Sequence, residues 1–460
     1  MHQAGKRHIV ILGGGFAGFY AALRFERALK HRSDIEVTIV DKENFFLFTP
    51  MLAEVAAGDL SPQAIVYPLR KSLRRVNFFK ATIDFVDLKD QVVHLIYGES
   101  NEHRTQLHYD HLILSLGSVT NFFKIEGLEE RALTIKSLGD AIHLRDHLIA
   151  TLEAADIENY SHERKRRLTF VVAGGGFAGV ETMAAVNDFI RESVRYYPHL
   201  NNELVRMVLA HAGEAILPEF DRELGDYAQR KLEERQVEVL TRTHVVSFAN
   251  GLVQLSNGAP IECNTLIWAA GVVPSLAIEK LNLKKERGHV VVDQYMRSPD
   301  HENVWAAGDC AFIPNSKTGK PYPPTAQHAL REGHRLANNI LAHIDGKPLT
   351  PFTYSMLGQM AVIGRRTGVA MILGIKISGF FGWFLWRTIY LAKLPGLDRK
   401  CRVGFQWLLD IFFPPDLSQY SSLREHAANA SLPARPNHFG GTTPFQEDDA
   451  PEQRGAIIHK

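Results

Sequence analysis

Short apolar runs of strand length alternate with stretches of helical apolar spacing through most of the chain. The run His8–Leu12, helical spacing over Phe19–Leu29 and the run Ile35–Val40 together predict one β-α-β unit across Lys6–Asp41. Phe78–Leu95 reads as strand, turn and strand, the polar stretch Gly98–Gln106 suits a hairpin, and Tyr109–Gly117 reads as a buried strand ending in glycine. After the charged segment Asn159–Arg167 the order repeats, with a strand at Leu168–Ala173, a helix over Val180–Ile190 and a strand at Leu204–Ala210. A helix over Asp221–Glu234 and a strand at Val237–Leu240 follow. Leu252–Leu255 and Ile261–Ala270 are then expected to pair around the turn signal Ser256, Asn257 and Gly258. Val291–Asp309 contains a short apolar strand that returns toward the first unit. Pro321, Pro323 and Pro324 precede a helix running from Thr325, a good N-cap, to about Ile344.

The segment Gly379–Phe413 predicts two short helices separated by Pro395 and Gly396. Trp383, Trp386, Tyr390 and Leu394 share one side of the first, and Cys401, Phe405, Leu408 and Phe412 one side of the second. Charged residues interrupt both, so neither offers the apolar stretch of about 20 residues that a membrane span needs. Aromatic and basic residues on short amphipathic helices suit a membrane interface, and equally a helix pair that closes a core or a dimer. Residues after about 430 are polar, with little periodicity, and read as a flexible tail.

The glycines supply the first chemistry. Gly13, Gly15 and Gly18 follow the first strand as G-x-G-x-x-G, and Gly174, Gly176 and Gly179 repeat the fingerprint within the same hexapeptide, GGGFAG. In each set the first glycine allows the tight turn, the second lets backbone approach a pyrophosphate, and the third lets helix and sheet pack closely. Asp41 closes the second strand where a carboxylate can accept from a ribose diol. The chain therefore has two dinucleotide sites. In the second unit His211 stands at the position of that acid, with Glu214 nearby either taking its place or simply solvated; NADH and NADPH are both open. Gly308 permits close backbone approach, and Asp309 can accept from a flavin ribityl hydroxyl. Gln327, in the first turn of the helix after Thr325, can face a ring as donor and acceptor.

Composition narrows this further. The 460 residues are 45% hydrophobic and 22% charged with a net charge of +1, enough for two or three globular domains and without a field that favours nucleic acid. The three cysteines, Cys263, Cys310 and Cys401, show no metal-ligand or C-x-x-C spacing, so no metal site is implied. None precedes residue 263, which excludes dithiol chemistry in the aromatic segment NFFLFTPMLAEVAAGDLSP beside the first nucleotide. The individual phenylalanines there are better read as core. The first strand begins by residue 8, so no secretory signal is expected.

With both fingerprints, GDC, PPTAQHAL and GWFLWRTIYLAKLPGLDRK in view, the chain resembles the type II NADH:quinone oxidoreductases, single-chain, non-pumping NADH dehydrogenases of respiratory membranes. The resemblance covers roughly residues 6–420. It implies an α/β fold of two Rossmann-like dinucleotide-binding domains, for FAD and NAD(P)H in a disulfide-reductase-like flavoprotein layout, plus a C-terminal amphipathic helical membrane-association segment. The expected division is FAD-binding over 1–125 and 291–350, NAD(P)H-binding over 126–290, membrane association over 351–425 and a tail over 426–460. Gly13, Gly15, Gly18, Asp41, Gly308 and Asp309 would bind FAD, and Gly174, Gly176 and Gly179 the nicotinamide substrate. Glu181 matches a glutamate proposed to assist proton delivery. Ala326, Gln327 and Ala329 match the quinone-site motif A-Q-x-A-x-Q, whose last glutamine is here Arg331, either a charge near the quinone or a side chain turned to solvent. The implied protein is peripheral, on the cytoplasmic side of the cell inner membrane, with a homodimer open. The competing readings are a soluble NAD(P)H-dependent flavin reductase or oxidase, a sulfide:quinone oxidoreductase that would need paired cysteines, and a flavin-containing NAD(H) sensor.

Overall fold

Two parallel sheets carry the two fingerprints. The structure is a computed structural model, and it describes residues 5–413 and 416–419. The first sheet orders its strands Val304–Ala306, His111–Leu114, Arg7–Leu12, Ile35–Asp41 and Asn77–Lys80, all parallel. Ile9–Leu12 is fully buried because helices or loops cover both faces of a central parallel strand. Helix Phe16–Ala28 packs along helix Ala326–Ile344. Their approach is close enough that a Cβ at Gly333 would lie 2.1 Å from the Ala17 carbonyl oxygen. The aromatic segment after Asp41 goes into this core: Phe46 is fully buried and stacks on Phe19 with ring centroids 4.6 Å apart.

The second sheet orders Leu133–Thr134, Thr265–Trp268, Thr169–Ala173, Arg206–Ala210 and Val237–Leu240, again all parallel. Here the sequence reading needs correction. The expected strand Ile261–Ala270 is two: Ile261–Glu262 completes a small antiparallel sheet with Leu252–Leu255, whereas Thr265–Trp268 crosses into the parallel sheet. The switch occurs at Asn264, whose side-chain oxygen accepts from Arg166 Nε at 2.7 Å. The charged stretch before Leu168 is helical over Ser161–Arg167, after a longer helix, Leu138–Asp156, that periodicity did not single out. Ser137 and Asp140 form a capping box at its start.

Residues after 350 build an antiparallel sheet, Gly358–Val362, Gly368–Ile372 and Ile375–Ser378, and then helices Gly379–Lys393 and Leu397–Leu409. The first expected helical stripe faces inward: Trp386 and Leu394 are buried, and the exposed face carries Phe380, Phe381 and Phe384. The second stripe does the opposite. Phe405, Leu408 and Phe412 are exposed while Val403 and Trp407 are buried. Residues 5–413 and 416–418 lie in one compact unit, Met1–Ser418. The tail expected over 426–460 lies outside the described residues.

Candidate active site

Both glycine turns lie at the C-terminal ends of their central strands, where open α/β sheets take ligands. The strand ends are tied together: Ser118–Thr120, just beyond His111–Leu114, pairs antiparallel with Val272–Pro274, just beyond Thr265–Trp268. In the first turn Gly13 has φ +100°, and a Cβ there would sit 2.3 Å from the Ser115 carbonyl oxygen. A Cβ at Gly18 would lie 1.9 Å from the Gly13 oxygen, whereas one at Gly15 would meet nothing within 4 Å. Gly15 is also the N-cap of helix Phe16–Ala28 and provides no side-chain cap, so first-turn N–H groups face that open space. A cradle of backbone donors at a positive helix end fits a pyrophosphate. Asp41 accepts from the N–H of Gly14 and, at 2.7 Å, from that of Glu43. Burial raises its pKa and those N–H groups oppose the rise.

The second turn repeats much of this geometry, with Glu219 Oε1 3.5 Å from where a Cβ at Gly176 would lie. Gly174 has φ +119°, Gly179 packs on the Gly174 oxygen, and Gly176 caps helix Phe177–Ser193 without a side-chain bond. In place of Asp41, His211 Nδ1 accepts from the Gly175 N–H at 3.1 Å. Accepting there leaves the ring neutral with its proton on Nε2, and burial lowers the pKa in the same direction. Glu214 is exposed and paired with Arg242 at 3.1 Å.

Gly308 and Asp309 close the first site from the returning strand. Gly308, at φ +75°, presents a backbone N–H that Glu332 Oε2 accepts at 2.8 Å. Asp309 accepts from Ser118 Oγ at 2.7 Å, with Lys136 at 3.8 Å. Ala329 is buried beside Gly308 on the opposite helix. Glu332 escaped the sequence reading because a glutamate in a polar helix reads as solvated; here burial pushes its pKa up to about 8 despite the Gly308 bond.

Gln327 and Glu181 are joined by one strand. Gln327 Nε2 donates to the Gly358 carbonyl at 2.9 Å, at the start of Gly358–Val362, and at its end the Val362 N–H donates to Glu181 at 3.1 Å. Four residues of extended chain separate the two ends by about 13 Å. Tyr354 donates to Gln327 Oε1 at 3.0 Å. Arg331 is not turned to solvent. Its guanidinium lies 4.1 Å over the Tyr354 ring and donates to the Gln327 carbonyl at 2.8 Å. Ala326 opens the same helix. Desolvation pushes Glu181 up to about 8, against the Val362 N–H and the Trp386 indole, which hold it down.

Among the described residues no cluster of three or more ligands suits a metal. Cys263 and Cys310 are buried, with thiols that burial pushes up to about 12, and Cys401 is exposed. They provide no reactive pair of the kind sulfide chemistry would need. A broad cleft of about 660 Å³ lies at the opposite, N-terminal edge of the second sheet. Its arginines are committed to neighbours, Arg206 to Glu238 and Arg166 to Asn264 and Glu163.

The model of the pyridine nucleotide-disulphide oxidoreductase family matches residues 7–333. A probable NADH dehydrogenase of Dictyostelium discoideum is 32% identical over 90% of this chain and 91% of its own. The type II NADH:quinone oxidoreductase NdhA of Mycobacterium tuberculosis is 32% identical over 88% of this chain and 87% of its own. The chain belongs to the type II NADH:quinone oxidoreductase family. The fold agrees: NDH2 of Plasmodium falciparum, solved in complex with NADH, superposes with a TM-score of 0.84 at 22% identity over 90% of this chain and 100% of that one. Within this type II oxidoreductase, the groups that sequence reading missed are Glu332, Glu54, Asp59 and Arg387. The last three meet Trp386 beneath the C-terminal helices.

Proposed function

We infer that this chain oxidises NADH and reduces a membrane quinone, a bound flavin, assigned as FAD, taking the hydride and passing on two electrons without proton pumping. The observation that carries this reading is the strand Gly358–Val362, which ties Gln327 to Glu181, in a fold whose two glycine-turn sheets are joined by the pair Ser118–Thr120 and Val272–Pro274. Gly13, Gly15, Gly18 and Asp41 would hold the adenosine and pyrophosphate portion of FAD, and Gly308 and Asp309 its ribityl side. Gly174, Gly176 and Gly179 would hold the nicotinamide dinucleotide. Ala326, Gln327, Ala329 and Arg331 line the quinone side. Gln327 is oriented by Tyr354 and Gly358, so it is held in one rotamer before a quinone arrives. Glu181, with its pKa near 8, carries a proton at neutral pH and can donate it.

Among the described residues no helix is long and apolar enough to cross a membrane. Phe380, Phe381 and Phe384 on one helix, Phe405 and Leu408 on the next, and Phe412 just after it are exposed apolar side chains of this terminal segment. This surface suits the headgroup boundary of a bilayer, in a peripheral protein on the cytoplasmic face of the inner membrane. A homodimer would bury the same residues.

Anaerobic stopped-flow absorbance tests the reading. Mixing with NADH should bleach the flavin, and a short-chain quinone should restore it rapidly. Restoration by oxygen or a protein acceptor alone would remove the quinone assignment.

A further inference from the structure

Reduction of a quinone by NADH takes up two protons, one of which arrives with the hydride, so one proton per turnover must come from water. The Glu181 region contains a route for it. Under helix Gly379–Lys393 a small cavity of about 40 Å³ is lined by Glu54, Asp59, Glu181, Asp188, Arg365 and Arg387. That space admits one or a few water molecules. Trp386, 1% exposed, also lines it, with its indole directed at Glu181. Among the described residues, Arg387 Nε and Asp410 Oδ2 close by have no hydrogen-bond partner. Buried polar atoms left without protein partners call for water.

The carboxylates are wired to the surrounding elements. Trp407 Nε1 donates to Glu54 at 3.2 Å, and Arg387, stacked between Trp383 and Trp407, stands 3.8 Å from Glu54. Arg365 is 3.5 Å from Asp59, pairs with Glu192, and donates its backbone N–H to Asp188 at 2.7 Å. Glu192 pairs in turn with the exposed Arg195. Arg235 holds Asp188 from the other side. The cavity itself is lined by four carboxyl groups and two guanidinium groups.

We propose that Asp59 and Glu54 are the proton-entry groups of the quinone reaction, passing a proton through cavity water to Glu181. The arginines stay charged and cannot carry protons themselves; they set the carboxyl affinities. Burial pushes Glu54 up to about 8 and Asp59 to about 6, each opposed by its arginine, and Asp410 to about 7, helped by the charge of Asp59. These groups therefore exchange protons near neutral pH. The proposal rests on the reading of Glu181 as the proton donor.

The test uses the flavin-loaded full-length enzyme, comparing Glu54→Gln, Asp59→Asn and Glu181→Gln in separate anaerobic half-reactions. Reduction by NADH needs no added proton, so its rate should hold in the Glu54 and Asp59 variants. Their reoxidation by a short-chain quinone should slow by about tenfold or more, with a larger solvent deuterium effect and partial rescue by small weak acids. Asp59→Glu, which restores a carboxyl, should recover the rate. Unchanged reoxidation in Glu54→Gln and Asp59→Asn alongside slow reoxidation in Glu181→Gln would overturn the relay and leave the Glu181 reading standing. Unchanged reoxidation in Glu181→Gln would remove that reading itself. Equal slowing of both half-reactions would assign Glu54 and Asp59 a structural role and also overturn the relay. Should a variant fail to fold, infrared titration of the wild-type protein decides instead: carboxyl bands that stay ionised down to pH 5 would overturn the proposal.

Discussion

A carboxyl group buried in this fold is a different chemical species from the same group on the surface. Glu54 has its pKa raised from 4.5 to about 8 by burial, with Arg387 opposing. A raised folded-state pKa means that its favourable contribution is complete below about pH 4.5 and is lost as pH climbs through about 8. Glu54→Gln should therefore gain stability relative to wild type between pH 5 and pH 9, by on the order of a few kcal/mol. Urea unfolding at both pH values would measure it, and a constant difference would contradict the assignment. His211 makes the second residue-scale prediction. His211→Asp recreates the Asp41 arrangement, including an acceptor for the Gly175 N–H, and adds a charge that repels a 2′-phosphate. Preference for NADH over NADPH should rise by about tenfold, roughly 1.4 kcal/mol, read from the two kcat/KM values.

Glycines act through the elements they allow to meet. Gly15 and Gly18 stand in one fingerprint yet do different work. Gly15→Ala places its Cβ in the open cradle, so the fold should keep its melting temperature while the purified protein loses flavin. Gly18→Ala drives a Cβ into the Gly13 carbonyl, and Gly333→Ala does the same to Ala17 between the two packed helices. Those variants should lose stability by about 1–3 kcal/mol or more whatever the flavin content. Thermal melts read beside flavin absorbance separate the two cases. At this scale the sequence was informative where the signal is local. The first strand, observed at Arg7–Leu12, and the helix started by Thr325 lie close to where periodicity and capping put them. It was silent on helix Leu138–Asp156, whose buried face includes Arg145 and Asp146, so polar residues sit where periodicity expects apolar ones.

The whole molecule decides what each terminal aromatic faces. Trp386 belongs to the core, so replacing it should damage folding. Phe381 and Phe384 lie outside, where Phe381→Ser and Phe384→Ser should weaken sedimentation with anionic lipid vesicles by about tenfold each at unchanged melting temperature. Undiminished sedimentation would place the lipid contact elsewhere.

By itself the sequence determined the two β-α-β units, their glycine turns and the acids or histidine that close them. Those features depend on residues within one or two elements, and backbone geometry makes glycine the residue required there. It also pointed to Gln327 by its place in the first turn after Thr325, and to Glu181 only through resemblance to other chains. The tertiary structure alone decided that Glu54 meets Trp407 across 353 residues of chain. It also decided that Arg331 stacks on Tyr354 and that one aromatic stripe faces inward while the next faces out. Burial, and with it proton affinity, is a property of what packs around a side chain, and no local pattern encodes that.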